Sequence, residues 1–426
     1  MEPKVLVISN ECFSKTSSNG RTLGNFFLGW PQDRLAQFYI SSADPDFDYC
    51  KNYFRVTDRQ ALEAFKNGKC NGGVVTKRLE SGIKVNSASK KKNRNSLTML
   101  LRDSIWNSNR WKSCGFEQWV KGFNPDIVLL QAGDCAFMFH LALKVAKESH
   151  AKLVIYNSEG YYFKDFDYFR SKGFIKFCYP LFIRNLKRAL EKAYKESEYI
   201  IYLCDELKNA YDQVFDIPSE VIYTASDMVV TSQATTDNGR FIVSYCGNLG
   251  IGRDSSLIEV ANELQKISAE LYLDVYGRLP NNEIGKKFEQ CEGIHFHGLV
   301  SYDEVKKIIS ESDLIIHTES FDDFYLKDLK FAFSTKIADA VSSGKCFLLY
   351  APEEYACSRY LKENQAAFVA VNRKELADIL AEIINKPEVR SKYRENAINL
   401  SEKNHKSQRN TLRFQEILKN IGNVSG

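Results

Sequence analysis

Short apolar runs alternate with helical patterns along most of this chain, and this alternation limits the folds open to it. In the first half, six apolar runs predict strands, the first being "KVLVIS" (4–9) and the last "EVIYTA" (220–225). Amphipathic stretches such as "CAFMFHLALKVAKES" separate these runs. Strands that alternate with helices are typical of a parallel sheet covered on both faces by helices. The sequence therefore predicts the α/β class.

A polar stretch, "TSQATTDNGR" (231–240), interrupts the alternation, which then restarts and continues to "AAFVAV". At 426 residues the chain is longer than one typical hydrophobic core. We predict two Rossmann-like, doubly wound domains that face each other across a cleft, residues 1–232 and 240–400. The basic helical tail, 401–426, is predicted to pack back on the first domain. A ligand is expected in the cleft, at the carboxyl ends of the strands.

Composition and charge limit the partners and the cellular location that we expect for this protein. The 58 basic and 54 acidic residues leave a net charge of +4, which is too small to favour a nucleic-acid partner. Eleven cysteines occur without a CxxC pair, and no leader-like segment precedes the first apolar run. The longest apolar run is "FIKFCYPLFI", half the length that a bilayer requires. We expect a cytoplasmic protein.

The stretch "FSTKIADAVSSGKCFLLYAP" (333–352) combines a helix with unusual charge placement. Ser334 or Thr335 is a suitable N-cap, and Gly344 is a suitable residue to end the helix. Lys336 would lie in the first turn, where a cation is unfavourable unless an anion binds there. Asp339 follows one turn later on the same face. A nucleotide-sugar needs such an arrangement, with a cation and helix amides for the diphosphate and a carboxylate for the sugar hydroxyls.

Three strand-to-helix turns could complete such a site. In "YCGNLGIGRDSSLIEV" (245–260), glycines and the following helix start would admit a phosphate. The turn "DVYGRLPN" (274–281) contributes Gly277 and Arg278 as further candidates, although a tight turn with a solvated arginine explains them equally well. In "FHGLVSYDEV" (296–305), Ser301 and Glu304 form a capping box, and the preceding backbone could contact a base.

These motifs together resemble the retaining glycosyltransferases of the GT-B fold, the large family-4 group. Many members carry K-x-x-E-x-x-x-x-G at the donor site, and here Lys336, Asp339 and Gly344 stand at its three defined positions. The resemblance extends over the second half of the chain. The first half is similar more loosely, through "NPDIVLLQAGD" (124–134) and "VIYTASDMV" (221–229).

The resemblance implies roles for individual residues. Gly247 and Asn248 would lie beneath the donor phosphates and the transferred sugar, and Asp339 would hold the ribose. Arg253 and Lys336 would neutralise the diphosphate. The implied catalytic residues are Arg253, Lys336, Glu159 and Glu319. The implied and candidate nucleotide-sugar-binding residues are Gly20, Gly247, Asn248, Gly277, Arg278, Val300, Ser334, Thr335, Lys336 and Asp339.

The chain also departs from the family pattern. The second carboxylate of the usual Glu-x7-Glu pair is the aspartate Asp339. The upstream partner that fits is Glu319, with "SFDDFYLKDLKFAF" (320–333) inserted after it. Glu159 stands near the place of a histidine found in many members, and "NGRTLGNFF", which contains Gly20, lacks the usual double glycine.

The resemblance implies sugar transfer with retention, by a front-face mechanism in which the leaving diphosphate accepts the acceptor proton. The donor is expected to be a UDP-sugar and the acceptor a glycan or lipid-linked oligosaccharide in polysaccharide biosynthesis. No metal or other cofactor is expected. The Asp-x-Asp triplets at 44–46, 46–48 and 165–167 are too common a pattern to indicate a metal, and His295 and His297 are attributed to packing.

Two segments of the first half, 87–113 and 168–195, mix basic and aromatic residues. Such faces dock on anionic lipid, and the sequence therefore predicts peripheral association with the inner face of the plasma membrane, with a solvated helix face as the plainer alternative. Two other functions remain open. A nucleotide-sugar epimerase would need no acceptor, and a non-catalytic glycosyltransferase-like partner subunit would bind donor without turnover.

Overall fold

The computed structural model describes residues 2–15, 18–77, 94–230 and 240–423. It divides into two compact units. The first comprises Met1–Ile222 together with Thr411–Gly426, and the second comprises Tyr223–Asn410. The polar stretch predicted as the domain boundary lies outside the described residues except for Arg240, as do residues 87–93 of the first basic segment.

The first unit is built on an eight-stranded sheet of order β4-β3-β2-β1-β5-β6-β7-β8. All neighbouring strands are parallel except the pair β3 and β4 at one edge. The central strands β1, β2 and β5 are buried at every position, which explains their continuous apolar sequences. The strands are β1 (Val5–Ser9), β2 (Leu35–Tyr39), β3 (Asn52–Arg55), β4 (Gly73–Val75), β5 (Ile127–Gln131), β6 (Lys152–Asn157), β7 (Tyr199–Tyr202) and β8 (Ser219–Val221).

Helices cover this sheet and bury large aromatic side chains against it. Trp106 stacks on Phe137 with ring centroids 4.7 Å apart, and Trp111 and Phe116 both pack against Phe38 of β2. The helices are α1 (Ser18–Phe26), α2 (Asp58–Asn67), α3 (Ser96–Asn107), α4 (Phe116–Phe123), α5 (Ala136–Glu148), α6 (Tyr179–Lys195) and α7 (Asp205–Asp212).

The second unit contains a six-stranded sheet of order β11-β10-β9-β12-β13-β14, in which every neighbouring pair is parallel. Its strands are β9 (Val243–Cys246), β10 (Leu273–Tyr276), β11 (Ile294–Gly298), β12 (Leu314–Thr318), β13 (Cys346–Tyr350) and β14 (Phe368–Ala370). Its helices are α8 (Arg253–Ile267), α9 (Asn282–Glu289), α10 (Tyr302–Glu311), α11 (Asp323–Leu329), α12 (Thr335–Ser342), α13 (Ala356–Glu363), α14 (Arg373–Asn385) and α15 (Pro387–Asn404).

A final helix, α16 (Ser407–Asn423), carries the chain from the second unit into the first. Within the first unit, Phe414 stacks on Phe26 with ring centroids 4.4 Å apart. Gln415 donates hydrogen bonds to the backbone carbonyls of Phe26 and Leu28, which lie at and beyond the end of α1. The C-terminal helix thus completes the core of the first unit rather than lying free on its surface.

The architecture confirms the predicted fold class, with two α/β units of parallel-dominated sheets. The six strands predicted in the first half all form. Two strands, β3 and β4, were not predicted, because "NYFR" and "GVV" are short and lack a long apolar run. Residues 320–333, predicted only as an insertion, contain α11. In the described part of the chain, no helix is long and apolar enough to cross a bilayer.

A buried histidine fixes the junction between α15 and α16. His405 is fully buried, with its Nδ1 2.8 Å from the carbonyl oxygen of Thr224 and its Nε2 2.8 Å from the hydroxyl of Tyr360. Phe333 stacks on the imidazole ring. Burial among these uncharged groups lowers the pKa of His405 to about 4, despite the opposing effect of the Thr224 carbonyl.

Because the folded-state pKa lies below the unfolded value of about 6.5, this histidine stabilises the fold fully above that value, and the contribution is lost as the pH falls toward 4. We expect the wild-type protein to lose about 2 kcal/mol of unfolding free energy from this group between about pH 7 and pH 5. Urea unfolding at both pH values, followed by circular dichroism, measures it. The His405→Gln variant should show a correspondingly smaller pH dependence; an equal dependence in both proteins would contradict the assignment.

Candidate functional site

Glycines at the carboxyl ends of three adjacent strands bring backbone segments unusually close together. The amide of Gly247, after β9, donates to the carbonyl of Tyr276 at 2.9 Å, and the amide of Gly277, after β10, donates to that of Gly298 at 2.8 Å. A Cβ on Gly277 would lie 2.2 Å from the carbonyl oxygen of Gly247. A Cβ on Gly247 would lie 2.7 Å from the hydroxyl of Tyr245. Close packing against these protein atoms therefore requires glycine at Gly277 and favours it at Gly247.

Helix α12 begins beside these glycines. Ser334 is its N-cap, with its hydroxyl accepting the amide of Lys336 at 3.3 Å, and Thr335 is the first helical residue. The stem of Lys336 lies against Gly247, since a Cβ on that glycine would be 3.1 Å from the lysine Cδ. The structure therefore brings together Lys336, the α12 N-terminus and Gly247, three features that the sequence predicted for one phosphate site. Gly344 has φ +70 just beyond the helix, as its predicted capping position requires.

A buried ion pair lies at the start of α8. The guanidinium of Arg253 contacts Glu319 through two hydrogen bonds, Nε to Oε2 at 3.0 Å and Nη2 to Oε1 at 2.6 Å. Arg253 is only 7% exposed and Glu319 only 2%. Burial alone would raise the pKa of Glu319, but the charge of Arg253 and a hydrogen bond from His317 outweigh it and hold the value at about 2. Two residues predicted as catalytic thus form one salt bridge.

His317 was not predicted as a site residue. It lies on β12, two positions before Glu319, with its Nε2 3.1 Å from Glu319 Oε1 and its ring stacked on Tyr245. Burial lowers the pKa of His317, and the charges of Arg253 and Lys336 act in the same direction, while Glu319 opposes them. The imidazole is therefore held neutral, where it can donate to the carboxylate. Its position in "HTE", sharing a strand face with Glu319, was the available signal.

Asp339 is buried within α12. Its Oδ1 accepts hydrogen bonds from the Ser226 hydroxyl at 2.6 Å and from the Tyr302 hydroxyl at 3.1 Å. These two partners come from separate segments, and neither was predicted. Tyr302 directly follows Ser301, which forms the predicted capping box with Glu304 at the start of α10. The carboxylate assigned to ribose is therefore fixed in one orientation by two hydroxyl groups.

The remaining predicted donor residues surround this region of the second unit. Asn248 is exposed, and its side chain accepts the amide of Gly250 at 3.0 Å, which shapes the glycine turn. Arg278 is exposed and forms no ion pair with any described residue. Val300 is half-buried in the loop after β11. Their predicted binding roles stay predictions.

The insertion after Glu319 packs on the same helix start. A Cβ on Gly252, which precedes α8 with φ +77, would lie 2.3 Å from Ser320 Oγ and 3.0 Å from Tyr325. The Tyr355 hydroxyl donates to the carbonyl of Ser320 at 3.1 Å. The first residues of the insertion are thus part of the wall next to Arg253.

Two predicted residues belong to the first unit. Gly20, predicted in a loop, lies in the first turns of α1, where a Cβ would be 2.3 Å from the carbonyl oxygen of Cys12. This close contact explains why a glycine is required in the helix. Glu159 follows β6, and its carbonyl accepts the Tyr211 hydroxyl at 3.4 Å. Their acceptor-side roles stay predictions.

The sequence features set aside as metal candidates have other partners. His295 and His297 stack on Tyr272 and Tyr276 and both contact Asp274. The carboxylates of Asp46 and Asp48 pair with Lys15, and that of Asp167 accepts the amides of Phe169 and Ser171. In residues 2–15, 18–77, 94–230 and 240–423, no group of three or more His, Cys, Asp or Glu side chains is placed so that it could hold a metal ion.

Comparisons with known proteins indicate what the second unit and the fold are similar to. Residues 253–418 match the family model described as "Glycosyl transferase-like". No curated protein matches the chain significantly by sequence. The match covers most of the second unit, which is thus similar to a glycosyltransferase domain.

Several solved structures share the fold over nearly the whole chain. HepE from Anabaena, solved in complex with UDP, is 13% identical with a TM-score of 0.64, covering 97% of this chain and 99% of its own. Sucrose-phosphate synthase from Thermosynechococcus elongatus is 9% identical with a TM-score of 0.66, covering 99% and 100%. WaaG, a glycosyltransferase involved in lipopolysaccharide biosynthesis, is 12% identical with a TM-score of 0.56, covering 97% and 99%.

We predict that removing only one of the two charges of the Arg253–Glu319 pair strongly destabilises the second unit. Glu319→Gln leaves the guanidinium buried without a counter-charge and should destabilise the second unit by roughly 3–5 kcal/mol. The double variant Arg253→Met/Glu319→Leu, which removes both charges, should lose clearly less unfolding free energy than the single variant. Hydrogen exchange of second-unit amides in all variants provides the measurement. Equal losses in the single and double variants would show that the ionic contact is not the source of the effect.

Proposed function

We propose that this protein transfers a sugar, with retention at the anomeric carbon, from a nucleotide diphosphate sugar to a glycan or lipid-linked oligosaccharide in polysaccharide biosynthesis. The observation that carries the proposal is the meeting of Lys336, the N-terminus of α12 and the bare backbone at Gly247. UDP is the nucleotide we favour, because HepE was solved with UDP and with UDP-glucose. WaaG, named as a lipopolysaccharide glycosyltransferase, supports the polysaccharide setting.

The donor diphosphate is the natural ligand for this combination. Amides at a helix N-terminus point outward and carry a partial positive charge, and an ammonium group adds a full one. Gly247 has no side chain of its own that would separate a phosphate from its backbone. Asp339, fixed by Ser226 and Tyr302, is the carboxylate that we assign to the ribose hydroxyls.

In the proposed reaction, the acceptor hydroxyl attacks the anomeric carbon while the bond from that carbon to the diphosphate oxygen breaks. The proton of the hydroxyl passes to the leaving diphosphate. Lys336 and the helix amides stabilise the charge that develops on the diphosphate. Arg253 is bound to Glu319 through both hydrogen bonds, so we assign it a positioning role, in which it orders the α8 start next to the phosphates. No metal is required in this scheme.

A groove in the first unit offers polar groups suited to an acceptor. It has a volume of about 390 Å³ and lies beside Arg55, the last residue of β3. Its walls include the side chains of Asp44, Gln60, Asn71 and Lys77. Carboxylate, amide and cationic groups together can donate to and accept from sugar hydroxyls. This mixture supports a carbohydrate acceptor.

The described part of the second basic segment supports membrane docking. Phe174 and Phe177 are 72% and 74% exposed, in the 3-10 helix Gly173–Cys178 that precedes α6. A 3-10 helix has three residues per turn, so these two rings share a face. Lys172 and Lys176 lie in the same short segment. Exposed aromatic rings beside lysines are typical of surfaces that bind anionic lipid.

The proposed activity predicts that a nucleotide-sugar will be consumed in the presence of an acceptor extract. A panel of UDP- and GDP-sugars, with release of free nucleoside diphosphate as the readout, identifies the donor. Lys336→Ala should reduce kcat/KM about 100-fold or more, because a charge at the leaving group is lost, while Lys336→Arg should retain part of the rate. The matched control is Lys374→Ala, an exposed lysine on α14.

Unchanged rates in Lys336→Ala would overturn the site assignment while leaving the activity intact. Donor binding without any turnover would overturn the transferase proposal and favour the partner-subunit function. Conversion of the donor to an isomeric sugar in the absence of acceptor would favour an epimerase.

The docking proposal predicts flotation with vesicles of anionic phospholipid. Wild-type protein should float at low salt and partly dissociate as ionic strength rises, because screening weakens the lysine contribution. Phe174→Glu/Phe177→Glu should remain in the soluble fraction. The control is Leu412→Glu, which changes an exposed apolar residue of α16. Equal flotation of the double variant and wild type would exclude this segment as the docking surface.

A further inference from the structure

Two cysteines that are distant in the sequence lie side by side in the first unit. Cys70 follows α2, and Cys114 ends the 3-10 turn Arg110–Cys114. The amide of Cys70 donates to the hydroxyl of Ser113 at 3.2 Å, which holds the two backbone segments together. Ser113 directly precedes Cys114, so this hydrogen bond brings the two cysteines close together. The Cys70 thiol is near enough to Cys114 to contribute to the raised pKa of the Cys114 thiol.

Accessibility distinguishes this pair from most of the other cysteines. Both thiols belong to partly exposed residues, whereas Cys12, Cys50 and Cys135 are examples of the buried set. Exposure is required for reaction with a soluble oxidant. Local hydrogen bonds orient both sulfurs, since Cys114 donates to the carbonyl of Trp111 at 3.0 Å and Cys70 accepts the amide of Gly72 at 3.4 Å.

We propose that Cys70 and Cys114 are a thiol modification site that forms a reversible disulfide by exchange with a small disulfide of the glutathione type. The thiolate of Cys70 attacks one sulfur of glutathione disulfide, whose S–S bond breaks and releases one glutathione thiolate. The thiolate of Cys114 then attacks the Cys70 sulfur and displaces the second. Two protein thiols are oxidised, one glutathione disulfide is reduced to two thiols, and the two protein protons pass to solvent and the leaving thiolates.

The order of attack follows from the surroundings of Cys114. Burial, together with the neighbouring Cys70 thiol, raises the pKa of Cys114 to about 12, so its thiolate is scarce at neutral pH. The first attack is therefore assigned to Cys70, and Cys114 resolves the mixed disulfide from close range.

The disulfide would connect the loop before β4 to the turn before α4. Asn71 and Gly72, which directly follow Cys70, line the groove beside Arg55. Oxidation would thus fix one wall of this groove. The long chain segment closed by the bond would also restrict the unfolded state, which favours the oxidised fold.

Peptide mapping tests the proposal directly. The full-length protein is incubated with glutathione disulfide at neutral pH, alkylated with N-ethylmaleimide, and digested with trypsin without reduction. Cys70 lies in "CNGGVVTK" (70–77) and Cys114 in "SCGFEQWVK" (113–121), each with a single cysteine. We expect mass spectrometry to detect these two peptides joined with the loss of two hydrogens, and dithiothreitol to separate them.

Two cysteine variants test whether Cys114 resolves the mixed disulfide of Cys70. In Cys114→Ser, the mixed disulfide of Cys70 with glutathione should persist, because the resolving thiol is missing. Cys178→Ser, which removes another partly exposed cysteine, should leave the cross-link unchanged. The proposal is overturned if wild-type Cys70 and Cys114 are recovered only as alkylated thiols or glutathione adducts, to the same extent as Cys178.

Discussion

The buried salt bridge between Arg253 and Glu319 is the interaction on which the glycine-rich end of the second unit's sheet depends. It joins the first residue of α8 to the residue after β12, and Ser256 adds a hydrogen bond of 2.8 Å to the carbonyl of Glu319. Neither charge could be buried without the other, because removing a single ion from water costs several kcal/mol. The helix start and the strand end are therefore fixed together.

This pairing determines how positive charge is distributed around the glycine turns. The charge of Arg253 is matched by Glu319 within the protein, whereas Lys336 and the α12 N-terminus lie beside Gly247. Glycine occupies two of these turns for a steric reason, since a Cβ on Gly277 would collide with the carbonyl oxygen of Gly247 and a Cβ on Gly247 with the hydroxyl of Tyr245. The positive charge of Lys336 and the glycine turn at Gly247 thus come from distant parts of the sequence and lie next to each other in the second unit.

Much of this arrangement could be predicted because it is encoded locally. Apolar runs identified most strands. The Ser-Thr-Lys start of α12 showed a cation at the positive end of a helix, an unfavourable placement that a bound anion would relieve. The glycine turns could also be predicted, because a turn depends on neighbouring residues. Short strands such as β3 and β4 were missed because their pairing partners, rather than their own residues, stabilise them.

The sequence by itself determined the two α/β units, the capped helix and the glycine turns, because hydrophobic period, capping and backbone freedom act between near neighbours. Only the tertiary structure decided that Arg253 binds Glu319, that Ser226 and Tyr302 orient Asp339, and that Cys70 binds Ser113 next to Cys114. Each of these contacts joins residues far apart along the chain. Which distant side chains come into contact depends on the order of strands in the sheet and on the packing of the helices. A local sequence pattern predicts neither of these.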